Sequence, residues 1–252
     1  VVYVLKVDNT GILDGFTVEG GYANGTDAYS NGGGLYSYLS SASVANITFT
    51  SNTAQGKGGG VYSYESNGSY FNITFNDNEA GVAGGGIFNS ISNSSLTNVS
   101  FNRNSAGLHG GGMYIIASTP SITEAAFNEN SAVEHGGAIL HTDLGESVIT
   151  NATFNDNTAG RFGGAIANFS SSPEMNDVII EGNHGSSGGA IYNQYGSPVF
   201  NTVAFSNNTA AMEGGGIYNE DSNPTFSDVV FSRNSAEKGG GKQVKLKGGF
   251  AY

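Results

Sequence analysis

The stretch NNTAAMEGGGIYN, residues 207–219, contains three consecutive glycines, and close variants of it return along most of the 252-residue chain. Glycine weakens the interior of both helices and strands, because it has no side chain to pack and loses more backbone freedom on folding than any other residue. A fixed place for glycine in every copy therefore indicates a backbone geometry that other residues adopt poorly.

An aromatic residue followed three positions later by asparagine recurs at a nearly constant interval. The intervals between these asparagines are 26, 26, 26, 27, 26, 25 and 26 residues. The asparagines are Asn52, Asn78, Asn104, Asn130, Asn157, Asn183, Asn208 and Asn234. Five or six residues after each comes a glycine pair or triplet with an aliphatic residue behind it, and a degenerate copy near Val18 makes about nine repeats. Such a fixed period is typical of a repeat protein.

Each repeat contains a strand pattern around its aromatic residue. Phe49 and Ile47 are apolar whereas Asn46 is polar, and the same columns recur in the other repeats. All four prolines stand seven residues before the aromatic column, where a strand can begin. Alternation with a period of two predicts a strand with one buried face.

The composition excludes most repeat architectures. The chain has nine leucines in total, too few for leucine-rich repeats, and its 40 glycines argue against helical repeats. Propeller blades need roughly 40 residues each. The sequence therefore predicts an all-β fold, a right-handed, single-stranded parallel β-helix of about nine coils with a period of about 26 residues.

Equivalent residues of successive coils stack in such a solenoid. The asparagines are then expected to form a hydrogen-bonded ladder at a tight corner, in the left-handed backbone conformation that asparagine tolerates. The glycines are expected to form a second corner. We expect residues 1–252 to be a single domain with regular coils over about 11–241. Lys242 stands where a buried aliphatic residue is expected, so residues 242–252 are predicted to be irregular or a terminal strand.

The two motifs together, Phe-x-x-Asn and Gly-Gly-[Ala/Gly]-aliphatic, resemble the repeat of the polymorphic outer-membrane proteins. That family occurs in the surface-exposed passenger regions of autotransporters and in related secreted β-helix proteins. The resemblance covers about residues 11–241. It implies a right-handed β-helix at the cell surface or outside the cell, in a family where adhesion is the usual activity, and it carries over no catalytic residue.

The charge balance limits the partners. A net charge of -12 disfavours nucleic acid and anionic membranes, because both attract clustered Lys and Arg. No apolar run approaches the roughly 18 residues of a membrane span, so direct membrane insertion is not expected. The expected partners are cell-surface glycans or proteins, or further copies of the chain.

An aromatic column follows the glycine runs and is the main candidate contact site. Its members are Tyr36, Tyr62, Phe88, Tyr114, Tyr192 and Tyr218. Each follows an aliphatic residue, and if that residue points inward, strand alternation places the ring outward. An outward aromatic stripe suits stacking on sugar rings or a lateral protein contact. The alternative is that the rings only cover the sheet or fill the core.

Two groups of titratable residues are candidates for a metal site or a catalytic site. His109 and His135 precede the glycines of consecutive repeats, so they are expected to stack, and two stacked imidazoles can share a metal ion. The varied residues at the same position of other repeats favour a solvent-facing column instead, and we predict no metal and no cofactor. Asp77, Arg103 and Glu129 share another column and predict an alternating charge ladder rather than a catalytic group.

Nine Asn-x-Ser/Thr sequons are candidate N-glycosylation sites. They begin at Asn24, Asn46, Asn67, Asn72, Asn93, Asn98, Asn151, Asn168 and Asn207.

The sequence favours a non-enzymatic extracellular or cell-surface β-helix that acts as an adhesin, stalk or matrix component. One alternative is a self-assembling filament built by end-to-end stacking of solenoids. The other is a carbohydrate-active enzyme of the polysaccharide lyase or glycosidase type, for which coils of nearly constant length leave little room to build a cleft.

Overall fold

The computed structural model describes residues 1–238. Lys242, the predicted end of the regular coils and the segment 242–252 lie outside the described residues. The described chain winds into three parallel sheets, with about eight turns and a period of about 26 residues. One short 3-10 helix, Asp27–Ser30, interrupts the first coils. The predicted parallel β-helix is confirmed.

Sheet 1 contains the strands that follow the glycine runs. Its nine strands, in spatial order, are Val2–Leu5, Leu35–Tyr38, Val61–Tyr64, Ile87–Ser90, Met113–Ile116, Ile139–Thr142, Ile166–Phe169, Ile191–Gln194 and Ile217–Glu220. Strand Val2–Leu5 pairs in register with Leu35–Tyr38, so the stack begins before the predicted residue 11.

Sheet 2 contains the strands that carry the phenylalanine column. They are Ile12–Asp14, Thr17–Glu19, Ser43–Thr50, Ser69–Asn76, Ser95–Asn102, Ser121–Asn128, Val148–Asn155, Glu174–Glu181, Val199–Ser206, Thr225–Ser227 and Val230–Ser232. Pro120 immediately precedes strand Ser121–Asn128, and the other prolines likewise stand just before strands, as predicted.

Sheet 3 contains the short strands that follow the asparagine column. They are Tyr22–Ala23, Thr53–Ala54, Glu79–Ala80, Ser105–Ala106, Ser131–Ala132, Thr158–Ala159, His184–Ser187, Thr209–Glu213 and Ser235–Lys238. Each inner coil contributes one strand to each sheet, whereas at both ends of the described stack the long strand of sheet 2 is replaced by two short strands. Within residues 1–238 the strands of a coil pair with those of the coil before it and the coil after it.

The core is a stack of identical side chains. The rings of Phe101 and Phe127 are fully buried with their centroids 4.6 Å apart, and the other phenylalanines of the column stack in the same way. The inward aliphatic residues of sheet 1, such as Ile139, complete the core. Burying a Phe or Ile side chain contributes about 1.5–3 kcal/mol, so the repeated columns supply the main stabilisation.

The asparagine ladder is confirmed, but its backbone conformation was predicted wrongly. Asn104 donates from both its backbone nitrogen and Nδ2 to Oδ1 of Asn130, each at 3.0 Å. The left-handed residue is the one before the ladder asparagine, for example Arg103 at φ 52°. The preceding residue makes the turn because the asparagine side chain must point into the coil to reach its partners.

The glycine corner has the geometry that the sequence predicts. Gly110 has φ +62°, and a Cβ added to Gly111 would lie 2.3 Å from the carbonyl oxygens of Gly137 and Ser131. Such a distance is impossible for a real Cβ. The glycines are therefore required by the closeness of neighbouring coils as well as by the left-handed turn.

Two further columns were not predicted. In strand Ser95–Asn102, Asn98 is left-handed at φ 53°, and this bend turns both Leu96 and Val99 inward although they are three residues apart. At a third corner, the backbone nitrogen of Ser66 donates to Oγ of Ser92 at 2.9 Å, and serines of neighbouring coils repeat the contact.

Candidate binding site

The aromatic column lies on the outer face of sheet 1, because the residues before it point into the core. Ile87 is buried in the core and pairs with Met113, while the next residues, Phe88 and Tyr114, pair on the outer side. Ring centroids along the column are 5.0–5.5 Å apart, from Tyr36 to Tyr114 and again between Tyr192 and Tyr218.

The aromatic rings of this column are less exposed than rings that project freely into solvent. The exposed fraction is 3% for Phe88 and 2% for Tyr192. The Lys57 ammonium lies over the Phe88 ring, 4.6 Å from its centroid. Tyr62 and Phe88 are parallel to within 2°. The flat faces are thus covered by neighbouring rings, and the surface offers ring edges and phenol hydroxyls.

A second tyrosine column widens this surface near the first coils. Tyr38 and Tyr64 stack with centroids 5.8 Å apart, and Tyr64 lies 6.5 Å from Tyr62. Tyr3 is exposed, and its ring packs against Tyr36 in a tilted arrangement with the ring centroids 5.4 Å apart. Together with Tyr29 these side chains form a surface that we call the tyrosine patch. Its members are Tyr3, Tyr29, Tyr36, Tyr38, Tyr62 and Tyr64.

Sequence reasoning found only two members of the tyrosine patch, Tyr36 and Tyr62. Tyr38 and Tyr64 have the same outward parity and are 26 residues apart, so the period alone could have identified them. Tyr29 lies on the 3-10 helix, and no periodic signal places it there.

The phenols of the column stay protonated at neutral pH. Burial raises the pKa of Tyr62 to about 12 and is also the main cause that raises the pKa of Tyr36. Smaller upward contributions to the pKa of Tyr36 come from the phenols of Tyr38, Tyr3 and Tyr29. Each hydroxyl can therefore both donate and accept a hydrogen bond.

The histidine column is more enclosed than predicted. His109 and His135 stack at 5.0 Å, with side-chain exposures of 25% and 14%, and Phe169 packs edge-on against His135 at 5.2 Å. Burial lowers the pKa of His135 to about 4, with His109 as the next cause, and burial also lowers the pKa of His109. At these two residues the column is half-buried rather than fully exposed to solvent.

The structure also brings Glu134 to this histidine pair. Its Oε2 lies 3.9 Å from His109 Nε2 and 3.7 Å from His135 Nε2. The ligand atoms of the three side chains lie within 4.8 Å of one another. The sequence placed the two histidines together but gave no sign that Glu134 faces both.

Eight of the nine sequon asparagines have exposed side chains. Asn168 is the exception, with no exposed surface, and its amide bonds to His141 and Asn193. It is therefore inaccessible to a glycosyl carrier in the folded chain, and its place among the glycosylation candidates is corrected. The alternation of sheet 1 explains this burial, because Asn168 stands two residues after inward Ile166.

Carboxylates of the described chain are dispersed. Arg103 makes a two-pronged ion pair with Asp77, with both distances 2.9 Å, on the exposed face. One step of the predicted charge ladder therefore forms, and within residues 1–238 no ion pair continues it from Arg103 to Glu129. A shallow depression of about 330 Å³ on sheet 2 contains Asp177 and Asp228, with Thr202 of the intervening coil in the same column. The depression is mainly apolar.

Three parallel sheets wound from a repeat of about 26 residues define a β-solenoid repeat protein. Five stretches match the Chlamydia polymorphic membrane protein repeat, namely residues 46–64, 72–90, 151–168, 177–194 and 202–220. The chain carries the repeat of that family, and the resemblance drawn from its motifs is confirmed. The repeats and the solenoid fit a surface-exposed, autotransporter-like passenger.

No curated protein and no solved structure matches the chain. Within residues 1–238 no helix has the length and apolar character needed to cross a membrane.

Proposed function

We propose that the chain is a non-enzymatic β-helix displayed at the cell surface or secreted, and that it acts as an adhesin through the tyrosine patch. The repeat family supports the location. The observation that carries the proposal is the grouping of tyrosines on the outer face of the first coils, where Tyr3, Tyr36 and Tyr62 pair in register and the rings of Tyr36 and Tyr62 stack. Aromatic groups with a polar end are enriched at recognition surfaces.

The partner that suits this surface best is an uncharged glycan of a cell surface. Phenol hydroxyls can bond to sugar hydroxyls, and ring edges provide apolar contact, whereas the covered ring faces leave little room for stacking. The net charge of -12 works against acidic partners by general repulsion. The dispersed carboxylates and the nearly constant coil length support a binding role over glycan cleavage.

Binding of the untagged chain to an array of neutral glycans tests this proposal. The affinity for the selected glycan is then measured with Tyr62→Phe, which keeps the ring stack and removes one hydroxyl. We expect a loss of about three- to tenfold, equivalent to about 1 kcal/mol for one hydrogen bond. Tyr22→Phe is the matched control, because Tyr22 is exposed on sheet 3, away from the patch.

Two results contradict the proposal. The first is an absence of binding to every neutral glycan, and the second is an affinity that neither Tyr62→Phe nor Tyr62→Ala changes. Binding that tracks a protein component of the cell surface instead would identify a protein partner and overturn the glycan assignment.

A further inference from the structure

His109, Glu134 and His135 form a group of titratable side chains that is separate from the tyrosine patch. The two histidines occupy the same column on adjacent coils and pair as a bridge just before the glycine corner. Glu134 immediately precedes His135, and its Oε2 lies 3.9 Å from Nε2 of His109 and 3.7 Å from Nε2 of His135. Three side chains from two coils thus converge on one point beside the outer face of sheet 1.

Two polar side-chain atoms of this group lack hydrogen-bond partners within residues 1–238. The distances of 3.7 Å and 3.9 Å from Glu134 Oε2 to the two Nε2 atoms are too long for hydrogen bonds. Within residues 1–238, the Nδ1 atoms of His109 and His135 are both buried and have no hydrogen-bond partner. Polar atoms at such depth are normally bonded, so each imidazole has one nitrogen atom whose hydrogen-bonding capacity is unused.

The same distances suit coordination of a metal ion. Two ligand atoms at about 2.1 Å from a zinc ion are about 3.4 Å apart at the tetrahedral angle. The three ligand atoms here lie within 4.8 Å of one another, so small side-chain rotations would bring them onto one ion. Two imidazoles and one carboxylate form a ligand set that zinc uses with a fourth position left open.

The surroundings favour a rigid site. Phe162 stacks on His135 at 4.9 Å and Phe169 packs against its edge, so the ring has few alternative positions. Arg161 follows on the next coil, and its guanidinium lies over Phe162 at 5.2 Å. No ion pair joins Arg161 to Glu134 in the described chain, although its positive charge opposes a cation to some degree.

We propose that His109, Glu134 and His135 bind one divalent first-row transition-metal ion, of which zinc is the representative, and that the ion ties two adjacent coils together. Nitrogen and carboxylate ligands favour zinc, nickel, cobalt and copper over calcium or magnesium. The ion leaves the histidine column and the glycine corner in place, because all three ligands already face one another.

Isothermal titration of the untagged chain with zinc sulfate tests the site. We expect one zinc ion per chain, and a loss of affinity of about a hundredfold or more for each of His109→Asn, His135→Asn and Glu134→Gln. His184→Asn is the matched control, because His184 is exposed on sheet 3 and lies outside the group. The control is expected to bind zinc as the unchanged chain does.

Substitution with cobalt provides a second measurement that does not depend on affinity. Bound cobalt in a site with imidazole ligands gives visible absorption bands, and His135→Asn is expected to remove them while the circular dichroism of the β-helix is retained. The proposal is overturned if the unchanged chain binds no zinc at millimolar concentration, or if any of the three ligand variants keeps full affinity. It is also overturned if His184→Asn weakens binding as much as His135→Asn does.

Discussion

At the scale of single residues, His141 is a fully buried ionisable group of the core. It has no exposed surface, its Nδ1 bonds to Oδ1 of Asn168 and its Nε2 bonds to Oγ of Ser147, both at 2.8 Å. The amide of Asn168 continues to Asn193 and then to Asn219, so a second polar ladder runs inside sheet 1. A neutral imidazole satisfies both neighbours with one donor and one acceptor.

Burial lowers the pKa of His141 to about 4, from an ordinary value of 6.5. The unfolded chain therefore binds more protons than the folded chain between pH 6.5 and 4. The contribution of this group to stability is complete above pH 6.5 and is lost as the pH falls toward 4. A difference of this size corresponds to about 3 kcal/mol.

The variant His141→Asn tests this prediction, because the same column holds asparagine on the following coils and an amide can bond to Asn168. We expect the free energy of unfolding of the unchanged chain to fall by about 3 kcal/mol more than that of the variant between pH 6.5 and 4. Urea titrations at several pH values provide the measurement. His135 titrates in the same window in both proteins, so only the difference between them reports on His141. Identical pH profiles would show that His141 does not control acid sensitivity.

At the scale of structural elements, the coil corners are fixed by side chains that bond to the next coil. The asparagine ladder closes one corner and the serine column closes another, while the glycines allow the third. Each ladder asparagine serves several backbone and side-chain groups at once. Asn130 donates to Phe101 O and Asn157 Oδ1, and accepts from Asn104.

Asn130→Ala is expected to lower the free energy of unfolding by about 3–5 kcal/mol. The change leaves the Asn104 amide and the Phe101 carbonyl without partners in a buried position, and each such loss costs about 1–3 kcal/mol. Asn128→Ala is the control, because Asn128 belongs to a half-buried outer ladder and bonds to Asn102 at 2.9 Å. We expect the control to cost about 1 kcal/mol or less. Equal losses in chemical denaturation would mean that the inner ladder has no special role.

The phenylalanine, asparagine and glycine columns were predicted from the sequence, whereas the serine corner and the second tyrosine column were missed although both repeat with the same period. The phenylalanine, asparagine and glycine columns follow from the period, since equivalent residues stack directly. The left-handed bend at Asn98 was not predicted from the sequence. Its column also contains Glu124 and Thr202, so the residue types indicate a polar position but not a left-handed backbone. Glu134 meets the histidines only through the offset of neighbouring columns, and spacing along the chain does not encode that offset.

At the scale of the whole molecule, the strands of residues 1–238 pack mainly against strands of neighbouring coils. The strand Ser121–Asn128 pairs with Ser95–Asn102 on one side and Val148–Asn155 on the other. The free energy of unfolding of such a structure is approximately the sum of the intrinsic stabilities of its coils and the interaction energies between adjacent coils. A defect in one coil should therefore be felt mainly by its two neighbours, while binding surfaces elsewhere along the rod keep their shape.

Phe127→Ala tests this local character. The ring is fully buried between Phe101 and Phe154, at centroid distances of 4.6 Å and 4.7 Å, so its removal is expected to cost about 3–5 kcal/mol. Hydrogen exchange should accelerate most in strand Ser121–Asn128, which contains Phe127, and in its neighbours Ser95–Asn102 and Val148–Asn155. It should accelerate least in distant strands such as Val199–Ser206.

Phe71→Ala is the matched control for this experiment, because Phe71 lies on sheet 2 with its side chain 53% exposed. We expect a change within about 0.5 kcal/mol and no local acceleration of exchange. Equal acceleration in every strand of the Phe127→Ala variant would show that the coils unfold as one cooperative unit, and the nearest-neighbour description would then be wrong. A gradient that fades over one or two coils instead means that the tyrosine patch on the first coils can keep its structure while the middle of the rod opens.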